Sequence, residues 1–220
     1  MRVRPILFSS LAVLVLSGPA VAQNLAQNRG FATDLSSWTA YASAAPDPVG
    51  AGTGVWDAQD VDALATSGSA HIQFAAAPTG ANAAYGLSQC IDLASVQPVT
   101  SAVFGTRFKL PTSQVVSGGA NVTIDVAFFS AAGCAGTLIT GGSQGKTVLP
   151  ADLSNTVWSS SDIALPGFDI QPLASPLSAQ LRLVVRRVGS NSNTLDVFFD
   201  SSYFAVNGTT SVELLTWEVE

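Results

Sequence analysis

The chain has 220 residues, with nine basic and fifteen acidic side chains, a net charge of −6 and only 11% charged residues. An acidic surface with no basic stripe repels phosphate backbones, which excludes nucleic acid as a partner. A helical architecture is excluded as well. Lys109 and Lys146 are the only lysines, and the three glutamates (Glu213, Glu218, Glu220) all fall in the last eight residues. Exposed helix faces would therefore lack their usual fillers, whereas strands bounded by Gly, Ser, Asn and Pro suit this composition.

The first element predicted is an export signal over residues 1–22. Arg2 and Arg4 give a positive start, Ile6 to Leu16 an apolar run broken only by Ser9 and Ser10, and Ala20-Val21-Ala22 a small-x-small cleavage site. The run is shorter than the roughly 20 apolar residues that span a bilayer, so the chain is not expected to cross a membrane. No cysteine lies near the site, which argues against a lipid anchor. Losing Arg2 and Arg4 with the signal leaves a net charge of −8 on a secreted or periplasmic product.

From residue 23 the pattern is one of short strands with a period of two, the mark of half-buried sheets. Ala70, Ile72 and Phe74 share a face opposite His71 and Gln73. Ala102, Phe104, Thr106, Phe108 and Leu110 oppose Arg107 and Lys109. Val122, Ile124, Val126 and Phe128 oppose Thr123 and Asp125. Leu181, Leu183 and Val185 oppose Arg182 and Arg186, and Leu195, Val197 and Phe199 oppose Asp196 and Asp200. Between them lie a long loop over 45–54 and tighter breaks at 78–80, 118–119, 141–142, 166–167 and 189–193. These residues predict an all-β sandwich over 23–206. Residues 207–220 form a tail or an extra edge strand, and an unpaired edge at 211–219 could meet a protein partner. Cys90 and Cys134 are the only cysteines. In an oxidising compartment they form one disulfide, closing about 45 residues for about 3–4 kcal/mol, or remain two buried thiols.

The stretches Asn24-Leu-x-x-Asn28-x-Gly30-Phe31 and Leu35-x-x-Trp38, then Ser67-Gly-Ser69, Ser88-Gln-Cys90-Ile-Asp-Leu93 and Phe198-Phe-Asp200-x-x-Tyr203-Phe204, resemble in order and spacing the galactose-binding-like jelly-roll domains. They are most similar to the carbohydrate-binding modules of bacterial cellulases and xylanases. The resemblance covers roughly residues 24–206. It implies a jelly-roll β-sandwich of two antiparallel sheets and the pairing of Cys90 with Cys134. It also implies a structural calcium near Asp200, although Ala32 stands where many relatives carry an acidic ligand. Calcium takes six to eight oxygens, and only Asp200 offers a carboxylate at a matching place.

Four residues are candidates for ligand binding. Trp56, in the polar segment Val55-Trp-Asp-Ala-Gln-Asp-Val-Asp62, could stack on a sugar ring beside Asp57, Gln59 and Asp60. Tyr85, Arg107 and Asp125 could line the polar face of one sheet. Trp38 and Trp158, next to apolar neighbours at strand starts, read as core. Catalysis is disfavoured: no glutamate precedes position 213, no Gly-x-Ser-x-Gly elbow occurs, and His71 is the single histidine. The leading expectation is a non-catalytic module that binds a carbohydrate or cell-surface polymer. The alternative is a structural or adhesion protein that keeps the fold without a sugar site.

Overall fold

The computed structural model describes residues 23–42, 52–74, 84–111, 120–148, 154, 156–165, 176–187 and 195–207. The expected signal at 1–22, the tail strand at 211–219, most of the 45–54 loop and the breaks at 78–80, 118–119, 166–167 and 189–193 lie outside them. Among the described residues ten strands follow in chain order: β1 (Thr39–Ala42), β2 (Gly52–Asp57), β3 (Ser69–Phe74), β4 (Ala84–Asp92), β5 (Ala102–Lys109), β6 (Ala120–Phe129), β7 (Leu138–Val148), β8 (Ser159–Leu165), β9 (Ser178–Arg187) and β10 (Leu195–Val206). They form two antiparallel five-stranded sheets, sheet A in the order β1-β4-β9-β6-β7 and sheet B in the order β2-β3-β10-β5-β8. This is a jelly-roll β-sandwich. No helix among the described residues is long and apolar enough to cross a membrane.

The core lies where the alternating apolar positions of the two sheets meet. Ile72, Phe104, Phe108, Ile124, Phe128, Leu181, Phe199 and Phe204 are fully buried there. Phe128 of sheet A and Phe204 of sheet B face each other at 6.2 Å between ring centroids. Burying one such side chain contributes about 1.5–3 kcal/mol.

One break in the alternation decides how β10 sits. Phe199 and Phe204 both point into the core although they are five residues apart. Ser201 and Ser202 together oppose the single residue Thr106, so the register slips by one between Asp200 and Tyr203, with Ser201 at φ 46°. The Thr106 hydroxyl ties the bulge down, donating to the Asp200 carbonyl at 2.9 Å and lying 2.9 Å from the Ser202 hydroxyl. A second irregularity corrects the expected break at Gly141-Gly142. β7 runs through this pair, and the glycines fall where the β6–β7 register shifts between Ala127 and Phe129. Glycine marks a bulge in an edge strand here rather than a turn.

The N-terminal segment 24–38 closes one end of the sandwich. The Asn24 side chain accepts from Ala26 and Phe204 N–H, and Leu25 N–H donates to the Phe204 carbonyl. The Gln89 side chain accepts from Gln27 N–H at 2.7 Å and donates to the Gln27 carbonyl at 2.8 Å. Phe31 and Trp38 then pack together at 5.5 Å, both buried. Cys90 and Cys134 form a disulfide that joins β4 to the loop after β6.

Candidate functional site

The outer face of sheet A carries the polar residues that alternation turns away from the core. In register across β6, β9 and β4, Asp125 stands opposite Arg182, and Arg182 opposite Ser88. The Arg182 guanidinium forms an ion pair with the Asp125 carboxylate. It also lies over the Tyr41 ring, 5.3 Å from its centroid, with an Nη1–hydroxyl distance of 3.5 Å. Tyr41 reaches it from β1 because its partner on β4 is Gly86, which places no side chain between them. A Cβ at Gly86 would come within 1.9 Å of the Leu183 carbonyl oxygen, so only glycine fits. An arginine held between a carboxylate and an aromatic face is pre-organised.

A second row runs alongside. Thr39 donates to the Ser88 carbonyl at 3.1 Å, the two hydroxyls lie 3.3 Å apart, and the Gln180 amide reaches the Ser88 hydroxyl at 3.4 Å. One end of the face is bounded by the disulfide loop, which crosses β9. Cys134 N–H donates to the Ser178 hydroxyl, and that hydroxyl donates to the Ala131 carbonyl at 2.6 Å. The side chains of Arg182 and Asp125 are only 15% and 21% exposed. Burial pushes the Asp125 carboxyl above the usual carboxylate range, and the charges of Arg182 and Arg186 pull it down by less.

Of the four expected ligand residues, only Asp125 is on this face. Arg107 points outward from β5 on sheet B, opposite Asp200. Tyr85 turns to the inner side of β4, where its ring packs over Gly52. A Cβ there would lie 2.3 Å from the ring, and burial raises the phenol's pKa. Trp56 belongs to strand β2 rather than to a loop, and its indole N–H donates to the Phe31 carbonyl at 2.6 Å. Tyr41 and Arg182 were not singled out from sequence as binding residues. Their one signal was the charge complement of Arg182 and Asp125, 57 residues apart, and the pairing becomes visible only when β6 lies beside β9.

Asp200 occupies a separate position behind sheet B. It is 1% exposed and accepts from Val61 and Ser201 N–H. Burial pushes its carboxyl up to about 7 against those two bonds, with Asp60 and Asp62 adding to the rise. These donors do not fit a calcium ion. The four successive carbonyls of residues 28–31 each accept a protein donor: Trp38 Nε1, Ser202 N–H, Ser67 Oγ and Trp56 Nε1. Position 32 is alanine, and no three acidic, histidine or cysteine side chains among the described residues gather as a metal site.

Solved structures similar to this chain include three of different kinds. One is a carbohydrate-binding module of the β-sandwich superfamily with promiscuous specificity (12% identity, 84% of this chain and 63% of that one, TM-score 0.54). The fold is shared with carbohydrate-binding modules. The others are the enzymatically active domain of tailspike protein 4 from bacteriophage CBA120 (14%, 83% and 21%, 0.54) and an arabinose-bound α-L-arabinofuranosidase (18%, 83% and 26%, 0.51). The chain therefore spans less than two thirds of each of these structures. No protein-family model and no curated protein matches the sequence.

Proposed function

We propose that this protein is a secreted, non-catalytic module that holds a carbohydrate or cell-surface polymer on the outer face of sheet A. The observation that carries this reading is the Tyr41–Arg182–Asp125 row, with its companion Thr39–Ser88–Gln180. A ring for stacking, fixed fork donors and a carboxylate acceptor are the groups that orient a sugar. The sandwich shared with a carbohydrate-binding module supports it. The disulfide and the leading segment support export. Among the described residues this row carries one carboxylate, Asp125, already engaged by Arg182, whereas glycoside hydrolysis uses two across a cleft, and this supports a non-catalytic role.

A glycan array and an insoluble-polysaccharide pull-down test the reading, with Tyr41→Ala and Asp125→Asn as variants checked by near-ultraviolet circular dichroism. Binding by the wild type and its loss in folded variants is expected. Binding that survives both substitutions would move the site elsewhere.

A second reading, adhesion through a protein partner, is favoured by the β2 edge of sheet B. Val55 is 50% exposed there and Trp56 38%, with Leu64 close in sequence at 50%. It predicts association abolished by Val55→Lys, with no glycan bound.

A further inference from the structure

The loop between β6 and β7, residues 130–137, carries Cys134 across β9 to Cys90 on β4. Two bonds close its neck. Ser130 N–H donates to the Thr137 carbonyl and Thr137 N–H to the Ser130 hydroxyl, both at 3.0 Å. The tip reaches β9 on left-handed backbone. Gly133 lies at φ 68° and Gly136 at φ 78°, which glycine adopts freely, but Cys134 between them lies at φ 54°. That conformation is disfavoured for a residue with a Cβ, and it persists only where the surroundings impose it. Among the described residues the tip has three attachments: the Cys134 N–H to the Ser178 hydroxyl at 2.9 Å, that hydroxyl to the Ala131 carbonyl at 2.6 Å, and the disulfide.

The disulfide is also within reach of solvent. Cys90 is exposed and Cys134 half-buried. Alternation puts Cys90 on the outer face of β4, two positions from Ser88 and opposite Gln180 on β9. The covalent tie therefore ends beside the Thr39–Ser88–Gln180 row of the candidate ligand face. An exposed disulfide that holds an unfavourable conformation is the kind that exchanges with thiols.

We propose that Cys90–Cys134 is a redox latch on this face: its cleavage by a dithiol releases the tip of the 130–137 loop from β9 and weakens ligand binding. The proposal rests on the glycan reading of the same face and adds its regulation. A thiolate of the dithiol attacks the Cys90 sulfur, the S–S bond breaks, and Cys134 leaves as a thiolate that takes up a proton. The second thiol of the reductant then attacks the mixed disulfide and expels Cys90. The dithiol ends as a disulfide, and its two electrons and two protons end on the two cysteines. The neck bonds involve neither sulfur, so the loop swings about residues 130 and 137 while the sandwich stands.

Dithiothreitol is the probe. Amide hydrogen exchange of residues 130–137 reads the loop without any ligand, and near-ultraviolet circular dichroism reads the fold. Affinity electrophoresis against arabinoxylan, mixed-linked β-glucan and polygalacturonate reads the face. Reduction, or Cys90→Ser with Cys134→Ser, is expected to speed exchange in the loop and to lower affinity by about fivefold or more. A saturating polymer should shift the dithiothreitol equilibrium toward the disulfide by the same factor, because the coupling is reciprocal. Gly133→Ala, whose Cβ meets nothing within 4 Å, adds backbone strain alone and should shift that equilibrium about fivefold toward the thiols. Loop exchange unchanged by reduction, or equal affinity in the two forms, would overturn the latch and leave the glycan reading standing. Loss of the whole near-ultraviolet signal on reduction would overturn it in favour of a disulfide that holds the fold. No polymer bound by the oxidised protein would remove both readings.

Discussion

The buried carboxyl of Asp200 makes stability depend on pH in the direction opposite to most aspartates. In the unfolded chain it ionises near 3.8, whereas in the folded protein burial holds its proton up to about 7. Between these values the native state binds more protons, so stability is greatest below pH 4 and is lost as pH rises toward 7. A rise of roughly three pKa units corresponds to about 4 kcal/mol. Asp200→Asn removes this titration. It keeps one acceptor for Val61 N–H and turns an amide donor toward Ser201 N–H, a cost of about 1–3 kcal/mol that does not vary with pH. Urea unfolding of wild type and variant from about pH 4.5 to about pH 8.5 isolates the effect, because the other carboxylates titrate in both proteins. The wild type should be the more stable at the acid end, and its advantage should vanish or reverse at the alkaline end. A wild-type-minus-variant difference that stays flat with pH would refute the reasoning. So would a stability gain on adding calcium that the variant lacks, since a cation would then hold Asp200 ionised.

Other outcomes follow from the packing. Cys90→Ser with Cys134→Ser opens a loop with a sequence separation of 44 and should cost about 4 kcal/mol, seen as a drop in melting temperature of roughly 10 °C. Gln89→Leu strands the Gln27 N–H and carbonyl and should cost about 1–3 kcal/mol in urea unfolding, whereas Val55→Ala, on the exposed β2 edge, should fall within about 0.5 kcal/mol of wild type. Phe204→Ala empties the centre of the core and should cost about 3–5 kcal/mol or prevent folding. Gly86→Ala should destabilise β4 strongly, because its Cβ meets backbone at 1.9 Å, and urea unfolding would register the loss.

Local chemistry made much of the fold legible in the sequence. A period of two with glutamate absent before position 213 means strands, and five of the ten (β3, β5, β6, β9 and β10) follow their apolar alternation into the core. The stretches at 24–38, 67–69, 88–93 and 198–204 are legible through their likeness to a family pattern, and the contacts beneath them are both short-range, as in Phe31 on Trp38, and long-range, as in Gln89 on Gln27. β2, β7 and β8 are edge strands, whose glycines and serines carry no core-facing pattern to read. β4 places Gln89 on its core side among Leu87 and Ile91, so no regular apolar alternation marks it.

The candidate site was less legible, because it depends on which strands become neighbours. Asp125 was visible as an outward polar residue, but nothing in the chain announces that β9 lies between β4 and β6. That order alone brings Arg182 to Asp125 and Tyr41 across Gly86 to both. The same holds for Asp200. A single inserted residue at Ser201 lets Phe199 and Phe204 both face inward and leaves the Asp200 carboxyl beneath the Val61 N–H. Sequence by itself determined the all-β class, the core faces of five strands and the cysteine inventory, because these follow from each residue's own preference for water or apolar surroundings. Tertiary structure decided strand order, the bulge and the meeting of Tyr41, Arg182 and Asp125 on one face, because these arise from contacts between residues far apart in the chain.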